Sequence, residues 1–274
     1  MPRLLFSFLA LLLAFPVHAE GFITRLLNKP VPGGVAVVDL GQGEQAPQAR
    51  YQGKPVLVVK EDGARWIAIV GIPLTVKPGD QYVESGGQRV PFVVAGKHYR
   101  EQRITLKNQE QVSPSPTNLK RIERELAEQT RAYQQFSPRQ PSNLLFDKPV
   151  GGPLSSPFGL RRFFNDQERN PHSGLDFAVP AGTPVKAPAA GRVILVGDYF
   201  FNGKTVFVDH GQGLISMFCH LSRIDVTVGQ ELPRGGVLGR VGATGRATGP
   251  HLHWNVSLND ARVDPAIFIG AFKP

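Results

Sequence analysis

The chain has 274 residues, enough for two modest domains, and its 30 glycines and 24 prolines favour short strands and turns over long helices. Its single cysteine, Cys219, excludes an internal disulfide framework. The net charge of +9 suits anionic surroundings such as an acidic cell-envelope polymer, but it serves solubility equally well, and without a nucleic-acid-binding motif we predict no nucleic-acid partner.

The first residues have the features of a secretory signal peptide. Arg3 precedes the apolar run 4–17, and small residues up to Ala19 offer a cleavage site before Glu20. The run is short for a membrane span, so an uncleaved anchor is the less favoured alternative. We therefore expect residues 1–19 to be removed. The mature chain is then exported without a transmembrane anchor, to the periplasm or, alternatively, into the medium.

Residues 22–108 predict a small β-sandwich-like domain. Short apolar bursts, such as 35–38 and 66–70, are separated by turns rich in glycine, proline and acidic residues. Regularly spaced short strands are typical of β-sandwiches. The one histidine of this region, His98, stands apart from other catalytic residue types, so we interpret it as a surface or structural residue.

Residues 109–143 predict a linker that contains a helix. The Ser-Pro-Ser-Pro run at 113–116 cannot continue a strand, and Thr117 or Asn118 is a candidate N-cap for a helix over residues 119–136. A partial apolar stripe indicates that one helix face packs against a domain. Whether the helix and the N-terminal domain inhibit the downstream groove or direct the protein to its target stays open at this stage.

Residues 144–274 predict a second β-rich domain. Residues 205–221 have the pattern of a β-hairpin with His210 in its turn, so we interpret His210 as a turn residue and not a ligand. His220 lies in the second strand of this hairpin. Strict alternation along that strand places the thiol of Cys219 on the face opposite His220, where it would be buried.

A His-x-His motif near the C-terminus carries the most chemical information. On a β-strand, side chains at positions i and i+2 share a face, so His251 and His253 are predicted to point the same way. Leu252, Trp254 and Val256 then point the other way, into a core. Two adjacent imidazoles on a strand face are well suited to holding a metal ion.

A second pair, His172 and Asp176, lies upstream, where prolines and Gly174 argue against a helix. In an extended segment these two side chains also share a face. Two histidines and a carboxylate form the ligand set of a catalytic zinc site, which leaves one position for water and lowers the pKa of that water to about 7. Copper and iron accept similar ligands, so spacing alone does not fix the ion.

Four stretches of the second domain carry recognisable motifs: 156–161 (Ser-Pro-Phe-Gly-Leu-Arg), 171–177 (Pro-His-Ser-Gly-Leu-Asp-Phe), 217–221 (Met-Phe-Cys-His-Leu) and 244–253 (Thr-Gly-Arg-Ala-Thr-Gly-Pro-His-Leu-His). Together they resemble the lysostaphin-type, or LytM-domain, zinc peptidases, which cut peptide bonds in peptidoglycan. The resemblance implies an all-β fold whose C-terminal antiparallel sheet forms a groove for an extended peptide. Residues 22–108 resemble, more loosely, the small β-sandwich that precedes this domain in some exported members.

The resemblance also implies roles for individual residues. It implies that one Zn²⁺ ion is held by three ligands: His172, Asp176 and His253. It further implies that His251 is the general base, and that His220 positions water or stabilises the tetrahedral oxyanion. The stretch 163–166 contains no tyrosine, so no oxyanion-stabilising tyrosine is carried over from the family.

We therefore expect a zinc metalloendopeptidase that hydrolyses peptide cross-links of bacterial peptidoglycan, with the peptide stems as its partner. Two alternatives remain. One is a non-catalytic LytM-like activator or cell-wall-binding protein, although such proteins usually lack the metal ligands that this chain retains. The other is a secreted peptidase that acts on proteins. The sequence predicts neither the bond cleaved nor the oligomeric state.

Overall fold

A computed structural model describes residues 21–63 and 65–274. The predicted signal peptide, residues 1–19, lies outside the described residues. No helix in the described part of the chain combines the length and the apolarity needed to cross a membrane. β-Strands are the main regular structure of the described residues, as the sequence predicts.

The described residues contain two α-helices and twenty β-strands, joined by loops and two 3₁₀ turns. The N-terminal part contains α1 (Phe22–Leu27), β1 (Val35–Gln42), β2 (Ala49–Tyr51), β3 (Lys54–Pro55), β4 (Leu57–Glu61), β5 (Arg65–Gly71), β6 (Gly79–Ser85), β7 (Gln88–Val94) and β8 (Glu101–Ile104). A 3₁₀ turn at Gln109–Gln111 and helix α2 (Pro116–Tyr133) follow. The C-terminal part contains β9 (Leu154–Ser156), β10 (Arg161–Phe164), β11 (Gln167–Arg169), β12 (Leu175–Phe177), β13 (Pro184–Lys186), β14 (Gly191–Tyr199), β15 (Gly203–Gly211), β16 (Leu214–Ile224), β17 (Glu231–Leu232), β18 (Val237–Val241), β19 (Leu252–Leu258), β20 (Ala261–Val263) and a 3₁₀ turn at Pro265–Ile267.

The N-terminal strands form two sheets, ordered β1-β5-β4 and β3-β2-β6-β7, with an apolar core between them. Strand β5 is apolar on both faces. Ala68 and Val70 pack into the core between the two sheets, whereas Ile67 and Ile69 pack into the large core of the C-terminal domain. Because alternate residues of one strand belong to different cores, the N-terminal sandwich is joined to the second domain through buried apolar surface.

One strand crosses between the two parts of the chain. Strand β8, within the predicted N-terminal region 22–108, pairs in parallel with β10 of the second domain, with Glu101 opposite Arg161 and Ile104 opposite Phe164. This is the single parallel pairing among the strands of the described residues. The pairing brings residues 101–104 of the N-terminal part next to residues 161–164, which precede β12 in the chain.

A single antiparallel sheet organises the C-terminal domain. Its main path runs β17-β14-β15-β16-β19-β12-β9, while β18 pairs with β13 and β16, and β20 pairs with β19. Strand β19 lies inside this sheet. Leu252, Trp254 and Val256 are fully buried in the main core, which confirms the prediction for the apolar face of the His-x-His strand. Burial of each such side chain stabilises the fold by about 1.5–3 kcal/mol.

The connecting helix begins three residues earlier than predicted. Helix α2 spans Pro116–Tyr133, and Oγ of Ser115, not a side chain of Thr117 or Asn118, accepts the capping bond, from the backbone N–H of Asn118 at 3.5 Å. The reason is the proline, since Pro116 lacks an N–H and has a φ that suits the first helical position.

The C-terminal end of α2 packs on the face of the large sheet opposite the main core. Ala132 and Tyr133 join a buried cluster with Phe207, Met217 and Cys219, and the rings of Tyr133 and Phe207 lie 4.9 Å apart. Of the predicted apolar stripe only the end at Tyr133 is buried, whereas Leu119 and Leu126 are exposed, so the prediction that this stripe packs against a domain is wrong for the first part of the helix. The contact surface of the helix lies next to the residues that form the candidate metal centre.

Candidate metal centre

Asp176 and His253 lie directly opposite each other on the neighbouring strands β12 and β19. Opposed residues of an antiparallel pair point to the same face of a sheet, so the carboxylate and the imidazole meet. Oδ1 of Asp176 lies 2.8 Å from Nδ1 of His253. Both residues are buried.

His172 reaches the same point from the loop before β12. Its backbone N–H donates to the carbonyl of Leu160, and Nδ1 of its ring donates to the carbonyl of Pro157 at 2.7 Å. A carbonyl can only accept, so the proton of the neutral ring is on Nδ1 and Nε2 carries a free lone pair. That Nε2 lies 3.0 Å from Oδ1 of Asp176 and 3.0 Å from Nδ1 of His253.

Gly174 makes this approach possible. A Cβ at this position would lie 2.3 Å from the carbonyl oxygen of Trp254 and 2.8 Å from Nε2 of His253. Any other residue would therefore push the loop away from β19. A glycine is therefore required at this position of the His-x-x-x-Asp motif for steric reasons. From the sequence, Gly174 served only as an argument against a helix.

The three donor atoms that converge here are arranged more favourably for binding a metal ion than for hydrogen bonding to one another. Nε2 of His172, Oδ1 of Asp176 and Nδ1 of His253 are mutually 2.8–3.0 Å apart. A hydrogen atom satisfies one of these contacts, whereas one cation satisfies all three. Two imidazole nitrogens and a carboxylate oxygen are borderline donors of the kind that bind transition-metal dications and zinc. The structure thus brings the three predicted ligands together.

The electrostatics of the cluster point the same way. Burial lowers the pKa of His253 to about 4, which keeps its ring neutral and able to donate a lone pair. Burial alone would raise the pKa of Asp176, but hydrogen bonds to His172 and His253 outweigh it and hold that pKa well below its ordinary value. The carboxylate is therefore ionised, as a metal ligand must be.

Arg162 contacts the second carboxylate oxygen of Asp176, and the sequence analysis did not single it out. Nη2 of Arg162 lies 3.2 Å from Oδ2 of Asp176, and Nε donates to Gln102 at the end of the parallel pairing. With Oδ2 engaged, Oδ1 is the oxygen turned toward the two histidines. The only sequence signal was its position beside Arg161 in the stretch 156–161, because no spacing rule connects residues 162 and 176.

The second strand of the hairpin is bulged at His220, and this corrects the prediction about its faces. The pairing of β15 with β16 shifts register between Val206 opposite Phe218 and Lys204 opposite Leu221, and His220 has a φ of 60°. Cys219 lies opposite His253, on the metal-facing side of the sheet. The predicted placement of Cys219 and His220 on opposite faces by simple alternation is wrong, because a bulge and a left-handed residue reset the alternation.

The bulge turns His220 toward the other two histidines of the site. The ring centroids of His220 and His251 are 4.7 Å apart, and those of His220 and His253 are 6.1 Å apart. All five predicted site residues are thus grouped in one region. The predicted thiol burial of Cys219 is confirmed, and burial raises its pKa well above the ordinary value, so it is a neutral thiol.

Hydrogen bonds fix the tautomers of both remaining histidines. Nδ1 of His220 donates to the carbonyl of Thr244 at 2.8 Å, and Nδ1 of His251 donates to the carbonyl of Gly249 at 2.9 Å. In the neutral rings both Nε2 atoms are therefore acceptors. Burial, followed by the nearby charges of His251 and His253, lowers the pKa of His220 to about 3. A neutral His220 with this tautomer can orient a water molecule but cannot donate a hydrogen bond to an oxyanion.

The other histidines of the described residues lie elsewhere. The prediction that His210 lies in a turn is wrong, because the residue is fully buried near the end of β15. Its Nδ1 donates to the carbonyl of Ala190, and its Nε2 lies 2.9 Å from Oγ of Ser216. The turn is Gln212-Gly213, where two positive φ angles suit a two-residue hairpin. His98 is exposed. Neither residue belongs to the metal-binding cluster, in agreement with their assignment as non-ligands.

Comparison with known proteins identifies relatives for both parts of the chain. Residues 170–265 match peptidase family M23, and residues 28–97 match the N-terminal domain of the same family. A crystal structure assigned to peptidase M23 of Pseudomonas aeruginosa is 68% identical, covers 92% of this chain and 100% of its own, and superimposes with a TM-score of 0.80.

Curated relatives match part of the chain, among them two named as endopeptidases. The DD-carboxypeptidase/endopeptidase Mpg of Neisseria meningitidis serogroup B is 41% identical over 113 residues, which are 41% of this chain and 26% of the relative. The peptidoglycan DD-endopeptidase ShyA of Vibrio cholerae serotype O1 is 41% identical over 112 residues, or 40% of this chain and 26% of the relative. The match with these curated relatives thus spans about a quarter of their length.

Proposed function

The chain belongs to peptidase family M23, and from this premise we propose that it is a zinc metalloendopeptidase that hydrolyses peptide cross-links of bacterial peptidoglycan. One observation carries the proposal: three donor atoms, from His172, Asp176 and His253, converge within 3.0 Å of one another in a buried position. Two further histidines with free Nε2 lone pairs lie beside them. A purely structural cluster has no need of these extra acceptors.

The three converging residues are the proposed ligands of one zinc ion. Zinc in such a set acts as a Lewis acid toward a carbonyl and lowers the pKa of water, so that hydrolysis proceeds near neutral pH. Nδ1 of His172 is held by Pro157 and Oδ2 of Asp176 by Arg162, so the ligand atoms are oriented in advance. Preorganised ligands lose little entropy when the ion binds.

His251 is the proposed general base. Its Nδ1–H is held by the carbonyl of Gly249, which leaves Nε2 as the atom that accepts the proton of the attacking water. His251 is only partly buried, so the proton it takes can later pass to the leaving amine or to solvent. His220 is the proposed positioning group for that water, because its Nε2 is an acceptor in the same cluster.

The proposed substrate is the peptide part of peptidoglycan, and the proposed location is the periplasm. The relatives named peptidoglycan DD-endopeptidase and DD-carboxypeptidase/endopeptidase support a bond between D-amino acids as the one cleaved. The predicted signal peptide over residues 1–19 supports export. We also propose that residues 22–108 and 144–274 are two domains joined by 109–143, and the two family matches fall inside them.

Digestion of purified sacculi tests this function. The full-length mature chain, loaded with zinc, should release muropeptides whose mass and new termini identify the broken bond. A chelator should stop the release, and added zinc should restore it. Intact cross-links after incubation with a protein that has bound zinc would refute the endopeptidase proposal. Cleavage of unrelated proteins at a similar rate would refute peptidoglycan as its substrate.

A further inference from the structure

An open cavity of about 1200 Å³ lies beside the metal centre. It is bounded by the connector around Val112, by Phe201 of the β14–β15 turn, and by three arginines: Arg161, Arg169 and Arg246. None of the five proposed site residues lines it. It does reach Pro171, which precedes His172 in the chain, and Arg246 stands in the loop that leads to His251.

The three arginines of this cavity differ in their partners. Arg161 is neutralised by two carboxylates, with Nη1 3.2 Å from Glu101 and Nη2 3.0 Å from Glu168. Among the described residues, Arg169 and Arg246 form no ion pair within 4.0 Å. Arg169 donates to the carbonyls of Val112 at 2.7 Å and Glu168 at 3.0 Å and also contacts Oε1 of Gln167, whereas Arg246 has one long bond, 3.4 Å, to the carbonyl of Gln111.

The guanidinium of Arg246 is held in place by two aromatic rings. Its Cζ lies 4.5 Å from the ring centroid of Phe164 and 4.3 Å from that of Phe201. Stacking fixes the plane of the group and leaves its N–H edge for a ligand. Because that edge has a single weak acceptor in the part of the chain that the structure describes, most of its donors are available to the cavity.

An arginine in this position is costly without an anion. Burial, together with the charges of Arg162 and Arg169, lowers the pKa of Arg246 to about 10. The carboxylate that lines the same cavity, Glu168, is paired with Arg161, and no described carboxylate lies within 4.0 Å of the guanidinium of Arg246. Arg246 is half-buried and has no carboxylate beside it, so a ligand in the cavity would supply the missing negative charge.

We propose that Arg246, assisted by Arg169, binds a carboxylate of the peptide substrate in this cavity. The inference rests on the proposed function, since it assigns one part of the same substrate. A carboxylate matches the planar fork of a guanidinium and accepts two parallel hydrogen bonds. Through the loop that joins Arg246 to His251, a bound carboxylate would align the peptide with the general base, so this subsite selects peptides that carry a free acid near the cleaved bond.

Binding of matched peptides tests the subsite without requiring turnover. The probes are an acetylated peptide that ends in D-Ala-D-Ala with a free carboxylate and the same peptide with a C-terminal amide. The zinc-loaded chain carrying His251→Ala is titrated with each peptide by calorimetry. We expect the acid to bind about tenfold more tightly than the amide, which is the usual contribution of a charge-assisted pair.

Variants at Arg246 test whether this residue causes the preference for the acid over the amide. Arg246→Gln in the same background should lose most of the preference for the acid, with Arg169 accounting for what remains, and Arg246→Lys should restore part of the preference because it keeps the charge but lacks the fork. Arg240→Gln, which removes an arginine of β18 outside this cavity, should keep the full preference. Unchanged zinc content and melting temperature show that each variant is folded.

Three results would overturn the subsite: equal binding of the two peptides by the parent, no binding of either, or a full preference in Arg246→Gln. Failure of the proposed function has a different signature, because sacculi would then stay intact while the acid-over-amide preference persisted. Sacculus cleavage with no such preference would remove the subsite and leave the enzyme proposal standing.

Discussion

Cys219 and His253 lie directly opposite each other across the pairing of β16 with β19, so the thiol and a proposed metal ligand share one face of the sheet. The next residue, His220, would point to the other face in a regular strand. It instead has a φ of 60° within a bulge, and its ring lies beside that of His251. Left-handed backbone at a residue other than glycine, asparagine or aspartate is uncommon and costs free energy.

This strain predicts an inverted order of stability at position 220. His220→Ala and His220→Gly remove the same ring, but only glycine adopts the left-handed conformation without a Cβ penalty. We expect the glycine variant to have the larger free energy of unfolding, by about 1 kcal/mol. Urea denaturation in the presence of a chelator measures the difference without a contribution from metal binding.

Ser216 supplies the matched control for the bulge. It lies in the same strand, is not among the residues of positive φ, and is equally buried in the sheet. There, Ser216→Gly should be less stable than Ser216→Ala by about 0.5–1 kcal/mol, because glycine weakens a regular strand. The same order at both positions would show that the backbone at His220 is not strained.

The sequence predicted those parts of the site that depend on regular strand geometry. The buried Leu252 and Trp254 follow from alternation along one strand, whereas the pairing of β12 with β19 that brings Asp176 opposite His253 is a long-range contact that only the family resemblance implied. The arrangement of His220 did not follow, because a bulge adds one residue to one strand and leaves no mark in hydrophobic periodicity. Family resemblance placed His220 at the site, and its ring lies beside that of His251, whereas alternation alone pointed the ring away.

Long-range contacts were the other limit of prediction. The parallel pairing of β8 with β10, which places Gln102 against Arg162, joins segments 60 residues apart, and no local pattern encodes it. His210 was assigned to a turn because it precedes a Gly-Gln-Gly run, yet the strand continues through it to Gly211. Local turn chemistry located the hairpin correctly but not the residue at which the strand ends.

Arg162 is expected to support metal affinity through Asp176. Arg162→Gln removes the donor 3.2 Å from Oδ2, so the carboxylate is no longer held with Oδ1 toward the histidines. Loss of such a supporting contact typically weakens metal binding by 10–100-fold, and we expect about tenfold here. Competition with a fluorescent zinc chelator measures the dissociation constant independently of turnover.

Arg161 is the control for this variant, because it is the adjacent residue and carries the same charge. Its ion pairs are with Glu101 and Glu168 at the exposed edge of the sheet, and exposed pairs contribute little. Arg161→Gln should leave zinc affinity within about twofold of the parent. An equal loss of affinity in both variants would mean that net charge near the centre, and not the contact with Asp176, determines affinity.

The ligand and base roles are separable by measuring zinc content and turnover together. Asp176→Asn keeps the shape of the side chain but removes its charge, so we expect zinc to be lost and turnover with it. His251→Ala should retain a single zinc ion while turnover falls by about 10²-fold or more, the usual contribution of a general base. Metal analysis after dialysis and release of muropeptides provide the two measurements. Full turnover in His251→Ala would assign the base role to another residue, with His220 the first candidate.

A buried histidine outside the site makes stability depend on pH. Burial lowers the pKa of His210 from 6.5 to about 4. Between these values the unfolded chain takes up a proton that the folded protein does not, so the free energy of unfolding falls as the pH is lowered from 6.5 toward 4. From the size of the shift, His210 contributes about 2–3 kcal/mol of this loss.

Comparison of two glutamine variants isolates this contribution. His210→Gln keeps a donor and an acceptor near Ala190 and Ser216 but cannot take up a proton, so its unfolding free energy should fall less steeply between pH 6.5 and 4 than that of the parent. His98→Gln removes an exposed histidine and should reproduce the slope of the parent. Because neither substitution changes a residue of the metal centre, the difference in slope belongs to His210. Parallel curves for the parent and His210→Gln would mean that the buried ring gains a proton in the folded protein as readily as in the unfolded chain, and that its hydrogen bonds compensate for burial.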